Sequence, residues 1–262
     1  MPSVLIGIPQ HGNSLSTATM RSVHSAVIGS RANVGYQAMG LSLLARNFSS
    51  LWVSAYKRGA DYFILHHSDL GVESPYPGIS WVDLLIDRMR LLNAAVISVA
   101  SPIKSQFGHF SSGLLLKANN PYTLRRTTAR ELLHLPTEFI SRVDLCRLYD
   151  VHPVSAGAML INTGLMIIDL RRFPWAKIRW PGFNIVDSIQ WSLNDVPCSY
   201  TIPEDWNFSQ WLYEHHFPYY MTKELILDHH GGKTYYNQGL WGDLHDDTPV
   251  QPSIEEWRGM VV

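Results

Sequence analysis

The amino-acid sequence predicts an α/β fold in which a central, mostly parallel sheet carries helices on both faces. Two features of the sequence predict it. Short stretches that are apolar throughout alternate with stretches whose apolar residues recur at helical spacing, which is typical of parallel strands buried on both faces. The chain has 262 residues, enough for one large domain or two small ones with a substantial core.

The first predicted elements are a strand and a helix. Residues 4–8 read as a buried strand, Pro9 stops it, and the polar turn 10–14 follows. Apolar residues then recur at steps of three and four over residues 20–28, which predicts an amphipathic helix. The stripe of this helix consists of Met20, Val23, His24, Val27 and Ile28.

The next helix and strand lead into a polar strand end. A second helical stripe covers residues 48–56, and Gly59 is positioned to end that helix. Residues 62–65 predict a strand that runs directly into the sequence His-His-Ser-Asp at residues 66–69.

The alternation of predicted strands and helices continues to about residue 104 and becomes less regular after it. Ser80 is positioned as the N-cap of a third helix, and residues 95–99 form another apolar strand. Residues 105–150 have weaker periodicity and predict an insertion, or a short hairpin followed by a helix. The later predicted elements are strands at 158–161, 165–168 and 225–227, and a helix that begins near Glu204.

Composition excludes several classes of protein. The net charge is −1, so no overall basic field attracts nucleic acid or an anionic membrane. Two cysteines are too few for a disulfide framework. The apolar stretches are shorter than the roughly 20 residues of a membrane span, and the N-terminus lacks a signal-peptide pattern. We therefore expect a soluble, cytoplasmic protein with no nucleic-acid partner and no membrane span.

Polar clusters follow several of the apolar stretches. Ligands of open α/β sheets bind outside the carboxyl ends of the strands, so clusters at such ends are candidates for a common site. The clusters are residues 10–13, residues 67–69, the stretch near Glu204, and residues 228–232.

One cluster carries the side chains of a candidate metal site. His67 and Asp69 leave a strand two residues apart, and His229 or His230 adds a nitrogen ligand from another strand end. Imidazole and carboxylate ligands suit a borderline ion such as Mn²⁺ better than Ca²⁺. On spacing alone, structural or solvated side chains are the commoner explanation.

Two further pairs lie at predicted helix starts. Glu204 and Asp205 are either first-turn acids favoured by the helix dipole or a general base, and the dipole would keep such a carboxylate ionised and weaken it as a base. Arg46 and Asn47 either hold a phosphate or a base edge, or serve as a surface side chain and an N-cap.

Three common motifs are missing from the sequence. It contains no Gly-x-Gly-x-x-Gly, no complete Walker motif Gly-x-x-x-x-Gly-Lys-Ser/Thr and no Gly-x-Ser-x-Gly. The usual dinucleotide, P-loop and hydrolase-elbow sites are therefore excluded.

Taken in order, the clusters resemble those of GT-A fold glycosyltransferases, and most of all the family 2-like group of nucleotide-sugar transferases. Ile6-Gly7-Ile8-Pro9 is similar to the first strand of that fold. Arg46-Asn47, Gly59-Ala60-Asp61 and His67-Ser68-Asp69 resemble the Arg-Asn pair, the Gly-Ala-Asp and the metal-binding Asp-x-Asp of the family. His67 is a departure, because it replaces the first acid of Asp-x-Asp.

The resemblance continues to residue 236. Residues 155–161 are similar to the family's small-residue strand beside the donor sugar, and Glu204-Asp205-Trp206 resembles the Glu-Asp pair that supplies the base in inverting members. His229-His230-Gly231-Gly232 resembles the His-x-Gly-Gly near the end of its catalytic domain. Residues 162–169 also resemble a strand of retaining GT-A enzymes, so the stereochemical outcome stays open.

The resemblance implies a hexosyltransferase that moves a sugar from a UDP- or GDP-sugar to a hydroxyl of a glycan or another acceptor. It implies Mn²⁺, or Mg²⁺, bound by Asp69, His229 and His67, and inversion with Asp205 as the base and Glu204 beside it. The residues that it assigns to donor binding are Pro9, Gln10, Arg46, Asn47, His67, Ser68, Asp69 and Gly157.

The resemblance also implies a division of the chain. A GT-A-like catalytic domain covers residues 1–236, with a nucleotide-binding half over about 1–104 and an acceptor half over about 105–236. Residues 237–262 form a C-terminal tail that can cover the site.

Two other functions compete with this one. A non-catalytic carbohydrate-binding protein on the same fold is favoured by His67, which stands in place of an acid. A sugar-1-phosphate nucleotidyltransferase shares the architecture but needs a glycine-rich loop with basic residues. Residues 10–14 contain one glycine and no lysine.

Overall fold

The computed structural model describes residues 1–10, 15–104, 107–118, 123–174, 182–191, 197–230 and 234–237. The strands, in chain order, are β1 (Ser3–Pro9), β2 (Asn33–Met39), β3 (Tyr62–His66), β4 (Leu70–Glu73), β5 (Val96–Val99), β6 (His109–Leu115), β7 (Leu124–Thr128), β8 (Met159–Leu160), β9 (Leu165–Asp169), β10 (Val186–Trp191), β11 (Pro197–Ile202), β12 (Tyr219–Thr222), β13 (Ile226–His230) and β14 (Thr234–Tyr236). The helices are α1 (Thr17–Gly29), α2 (Leu44–Lys57), α3 (Trp81–Leu91), α4 (Ala129–Leu133), α5 (Arg142–Leu148) and α6 (Glu204–Glu214).

Five strands of the central sheet run in one direction and one runs against them. The order across the sheet is β12-β5-β9-β3-β1-β2. Strand β9 pairs antiparallel with both β3 and β5, whereas the other neighbours pair in parallel. The predicted α/β fold with a mostly parallel sheet is therefore confirmed.

Helices cover both faces of this sheet. Successive side chains of a strand point to opposite faces, so neighbouring residues pack into two different cores. Phe63 belongs to the core that α2 and α6 cover, together with Trp52 and Leu212. Its neighbour Ile64 belongs to the core that α1 and α3 cover, together with Val23. The predicted strand 62–65 is fully buried for this reason.

The buried face of α1 is not the one that its apolar stripe predicts. Four residues of the stripe are exposed: Met20, His24, Val27 and Ile28. The helix instead turns two hydroxyl side chains to β4. Thr19 Oγ1 donates to Leu70 O at 2.9 Å, and Ser22 Oγ accepts from Val72 N at 2.7 Å. These short side chains let the helix bind the strand backbone directly, which a count of apolar residues does not register.

The other predicted helices form close to where the sequence places them. The stripe of α2 is buried at Phe48, Leu51 and Trp52, and Gly59 follows the helix with φ +65°, a conformation that favours glycine at a helix end. Ser80 caps α3 by accepting from the backbone N–H of Val82.

The stretch after residue 104 forms a separate antiparallel sheet. Strands β6 and β7 make a hairpin, and β8 pairs with β6 on its other side. Helices α4 and α5 follow the hairpin, so the predicted hairpin and helix are confirmed. The chain then passes through residues 161–164 into β9.

A third sheet has the order β14-β13-β4. The sequence pattern predicts that residues 228–230 follow a strand of the main sheet. They lie instead inside β13, which pairs antiparallel with β4. The sequence pattern also missed β2, because this strand lies at the sheet edge and most of its residues are at least partly exposed.

None of the described helices is both long and apolar enough to cross a membrane. The tail predicted at 237–262 lies outside the described residues except for Asn237. The Asn237 side chain is bound to the backbone of β13, since its Oδ1 accepts from Leu227 N at 2.9 Å.

A substitution at Gly113 tests the pairing of β6 and β7. A Cβ at Gly113 would lie 2.1 Å from the carbonyl oxygen of Arg125, so Gly113→Ala must push the strands apart. We expect the free energy of unfolding to fall by at least about 2 kcal/mol, as for an overpacked core, measured by urea denaturation. Gly35→Ala is the matched control, since a Cβ at Gly35 meets nothing within 4 Å. Equal midpoints for the two variants would contradict this pairing.

Candidate functional site

The candidate site lies at the edge where the parallel strands of the central sheet end. Strand β3 is followed there by residues 67–69, and β5 by residues 100–104. Strand β9 runs the other way, so the residues before it, 161–164, lie at the same edge. Three chain segments thus meet on neighbouring strands.

The Asp69 carboxylate is the centre of a small charged cluster at this edge. Lys104 Nζ donates to Asp69 Oδ2, and His229 Nε2 lies 3.4 Å from the same oxygen. Partial burial alone would raise the pKa of Asp69, but the neighbouring Lys104 and His229 outweigh it. The pKa of Asp69 therefore lies well below its usual range, and the carboxylate is ionised at neutral pH.

The geometry distinguishes His229 from His230. His229 Nδ1 donates to Pro102 O at 2.7 Å, which fixes the ring and turns Nε2 to Asp69. The next residue of β13 points to the opposite side, and His230 Nε2 lies 3.5 Å from the position of a Cβ on Gly71. Of the two histidines, His229 is the one that faces the cluster.

His67 lies beside the cluster and is held by packing. Its ring stacks on Phe48, with 5.4 Å between ring centroids, and its Nε2 lies 3.5 Å from Thr163 Oγ1. Burial lowers the pKa of His67 to about 4, although the Asp69 charge opposes this shift. His67 is therefore neutral at physiological pH.

The described side chains do not fit a Mn²⁺ site in this arrangement. In the part of the chain that the structure describes, no three His, Cys, Asp or Glu side chains group closely enough to hold a metal ion. The Lys104 ammonium already occupies the Asp69 oxygen that an ion would bind. The expectation of Mn²⁺ or Mg²⁺ thus stays a prediction from the resemblance.

Asp205 lies in a second cluster, at the start of α6. Burial raises the pKa of Asp205 from 3.8 to about 8, Glu204 adds to the shift, and Arg126 opposes it. The guanidinium of Arg126 lies over the Trp206 ring, 4.7 Å from its centroid. The expectation that the helix start keeps this carboxylate ionised is therefore wrong, because burial outweighs the backbone hydrogen bonds there and the charge of Arg126. Asp205 is mostly protonated at pH 7 and is a stronger base once it is ionised.

Residues 161–164 connect the two clusters. Ser209 of α6 accepts from Ile161 N at 3.0 Å and donates to Asp205 O at 2.7 Å. Two residues further along the chain, Thr163 contacts His67. Among the described hydrogen bonds and ion pairs, none joins Asp69 to Asp205 directly. The structure thus brings Asp69, His67 and His229 together, and Ser209 ties α6, which carries Asp205, to the segment that contacts His67.

Asn47 has a structural partner instead of a free amide. Its Oδ1 accepts from Leu41 N at 2.8 Å, and its Nδ2 donates to Leu41 O at 3.3 Å. The N-cap position of α2 is Leu43, so the interpretation of Asn47 as an N-cap is wrong. Arg46 lies in the first turn of α2 with an exposed side chain.

The remaining predicted donor-binding residues lie at segment ends. Pro9 ends β1, and Gln10 N donates to Met39 O at 2.8 Å. Ser68 O accepts from Ser16 N at 3.0 Å. A Cβ on Gly157 would lie 2.9 Å from Leu115 Cβ, so close packing alone requires a glycine there. Contact of these residues with a nucleotide sugar stays a prediction.

Sequence reasoning missed two charged residues. Lys104 follows β5 at the same edge of the sheet. The rule that ligands bind at strand ends could have found it, but residues 100–103, which are small or apolar, separate the lysine from the predicted strand. Arg126 lies in the middle of β7, in a separate sheet, and no spacing in the sequence connects it to Asp205.

A cleft of about 600 Å³ lies away from both clusters, between α1 and the β14-β13-β4 sheet. Asp228 and His230 line it from the face of β13 opposite His229, and Tyr76 and Trp81 line it from the loop before α3 and its start. None of the predicted catalytic or donor-binding residues is among its lining residues.

No known protein family matches the sequence, and no curated protein is significantly similar to it. Among solved structures, A197 from STIV is 11% identical with a TM-score of 0.48, over 94% of this chain and 97% of that one. A glycosyltransferase involved in the glycosylation of the major capsid of PBCV-1 is 14% identical with a TM-score of 0.30, over 68% and 71%. HddC from Yersinia pseudotuberculosis, complexed with GMP-PN, is 10% identical with a TM-score of 0.29, over 82% and 99%. All three TM-scores are below 0.5, so these likenesses carry no argument about function.

The buried Asp205 carboxyl makes stability depend on pH. The pKa of Asp205 is about 8 in the folded protein, above the ordinary aspartate value of 3.8. Between about pH 4 and 8 the unfolded chain loses this proton more readily than the folded one, so the folded state is progressively destabilised as pH rises. Asp205→Asn cannot ionise. We expect the melting temperature of this variant to exceed that of wild type at pH 9 by at least about 2–4 °C, equivalent to about 1 kcal/mol, with a much smaller gain at pH 4. Glu214→Gln, at the exposed end of the same helix, is the control. A gain that is the same at both pH values would contradict the burial of this charge.

Proposed function

We propose that the protein is a glycosyltransferase that moves a sugar from a nucleoside-diphosphate donor, a UDP- or GDP-sugar, to an acceptor hydroxyl. The observation that carries the proposal is the cluster of Asp69, His229 and Lys104 at the strand-end edge, where α/β sheets bind their ligands. The order of motifs that resembles GT-A fold glycosyltransferases supports the same function.

The charge at the cluster suits the departure of a diphosphate. As the bond from sugar C1 to the phosphate oxygen breaks, negative charge builds on the diphosphate and C1 becomes oxocarbenium-like. Positive groups fixed before the reaction stabilise such charge most effectively. The cluster offers one, because Lys104 is already held on Asp69.

Asp205 suits the role of general base. The acceptor hydroxyl must lose its proton as its oxygen attacks C1, and a base is most effective when its pKa lies near the working pH. Burial raises the pKa of Asp205 to about 8, and Arg126 limits that rise. Attack opposite to the leaving diphosphate gives inversion.

A screen of nucleotide sugars for slow hydrolysis tests the proposal, because water replaces the unknown acceptor. We expect hydrolysis of one UDP- or GDP-sugar, with a rate that rises with pH through about 8 as Asp205 loses its proton. Asp205→Asn should lower the rate by about 10²–10⁴-fold with donor binding unchanged, and Glu214→Gln should leave it unchanged.

Three results would count against the proposal, the first against the base alone and the other two against the function. Full turnover of Asp205→Asn would reject the assignment of the base. A thermal shift with free sugars but with no nucleotide, and no hydrolysis of any donor, would favour a carbohydrate-binding protein. Release of pyrophosphate from a nucleoside triphosphate and a sugar 1-phosphate would indicate a nucleotidyltransferase instead.

A further inference from the structure

We infer that the ammonium of Lys104 takes the place of a divalent ion at the diphosphate of the donor, so that transfer does not require a metal. Asp69 is then a positioning residue that holds the ammonium. The inference rests on the proposed function, since it assigns the cation of that same site.

The position of Lys104 is fixed by its backbone. On one side of its segment, Ala100 N donates to Thr222 O at 2.8 Å. Ile103 N donates to His109 O at 2.9 Å, which ties the segment to β6. Pro102 O accepts from His229 Nδ1 at 2.7 Å. The segment that carries the lysine is thus bound to three different strands, and the ammonium reaches Asp69 from an anchored backbone.

The ammonium also has hydrogen-bonding capacity left for a ligand. It carries three N–H donors, and Asp69 is the acceptor that the described residues give it. The side chains of Lys104 and Asp69 are 32% and 37% exposed, so a ligand at the edge can reach the pair. A lysine ammonium binds phosphate oxygens as a point charge, and partial burial weakens screening by salt.

The carboxylate serves the ammonium as it would serve a metal. In either arrangement an anion fixes a cation, and the cation faces the phosphate. A divalent ion here would need Lys104 to leave Asp69, and it would then gain two protein ligands, Asp69 and His229, since His67 is held in its stack on Phe48. The arrangement that the structure describes already has its cation.

The transfer step balances without a metal. The electron pair of the C1–O bond goes to the diphosphate oxygen, the acceptor oxygen forms a new bond to C1, and the acceptor proton goes to Asp205. Lys104 neither gains nor loses a proton, because it donates hydrogen bonds throughout.

Chelation separates the two possible cations. In EDTA, we expect wild type to keep its rate of donor hydrolysis and to keep the rise in melting temperature that UDP or GDP produces. Lys104→Met should lose that thermal shift and lower the hydrolysis rate by about 10²–10³-fold, the usual effect of removing one charge-stabilising donor. Lys104→Arg should restore most of the rate. Lys57→Met, an exposed lysine at the end of α2, is the matched control.

The outcomes distinguish this inference from the proposed function. If wild type loses hydrolysis in EDTA and regains it with Mn²⁺, or if Lys104→Met equals wild type in EDTA, Lys104 is not the cation, although the glycosyltransferase stands. If no donor is hydrolysed either in EDTA or with Mn²⁺, the proposed function itself fails. The wild-type comparison does not depend on the folding of any variant.

Discussion

The reversed direction of β9 is the constraint on which both halves of the site depend. This strand, Leu165–Asp169, is fully buried and pairs with β3 and β5 on its two sides. Because it runs against them, the residues that precede it lie beside the residues that follow its neighbours. A parallel strand in that place would send residues 161–164 to the opposite edge, and α6 would lose its connection to His67.

Burial raises the pKa of both carboxylates, Asp69 and Asp205, but their net pKa shifts are opposite. Asp69 accepts from Lys104 and lies 3.4 Å from His229 Nε2, and these partners outweigh the effect of burial, so it stays ionised. Asp205 has Arg126 nearby, but burial and the neighbouring Glu204 outweigh that single cation. A carboxylate that stays charged can hold a cation, whereas one that is mostly neutral at pH 7 can accept a proton and keep it. The difference follows from the number and closeness of positive partners.

The sequence predicts what is decided locally and misses what a distant partner decides. The strand at 62–65 and the helix stripe at 48–56 are confirmed, since a buried strand and an amphipathic helix each carry their pattern in consecutive residues. The buried face of α1 is wrong, because hydroxyl groups that bind β4 replace apolar packing. Asp69 and His229, which the resemblance assigns to one site, lie 3.4 Å apart, but Arg126 comes from a hairpin whose position relative to α6 no spacing reveals.

The positive partner of Asp69, the Lys104 ammonium, is set by the order of strands in the sheet as well as by the local sequence around Asp69. A motif such as His67-Ser68-Asp69 specifies a carboxylate after β3 and requires a positive partner for it, without specifying which. The partner is supplied by the strand end two positions across the sheet, since β5 lies on the far side of β9. There the chain continues as Ser101-Pro102-Ile103-Lys104, and the same segment provides both the ammonium for Asp69 and the carbonyl that orients His229. A short residue in place of Lys104 would leave Asp69 without this ammonium, so the charge beside Asp69 depends on a side chain two strands away in the sheet.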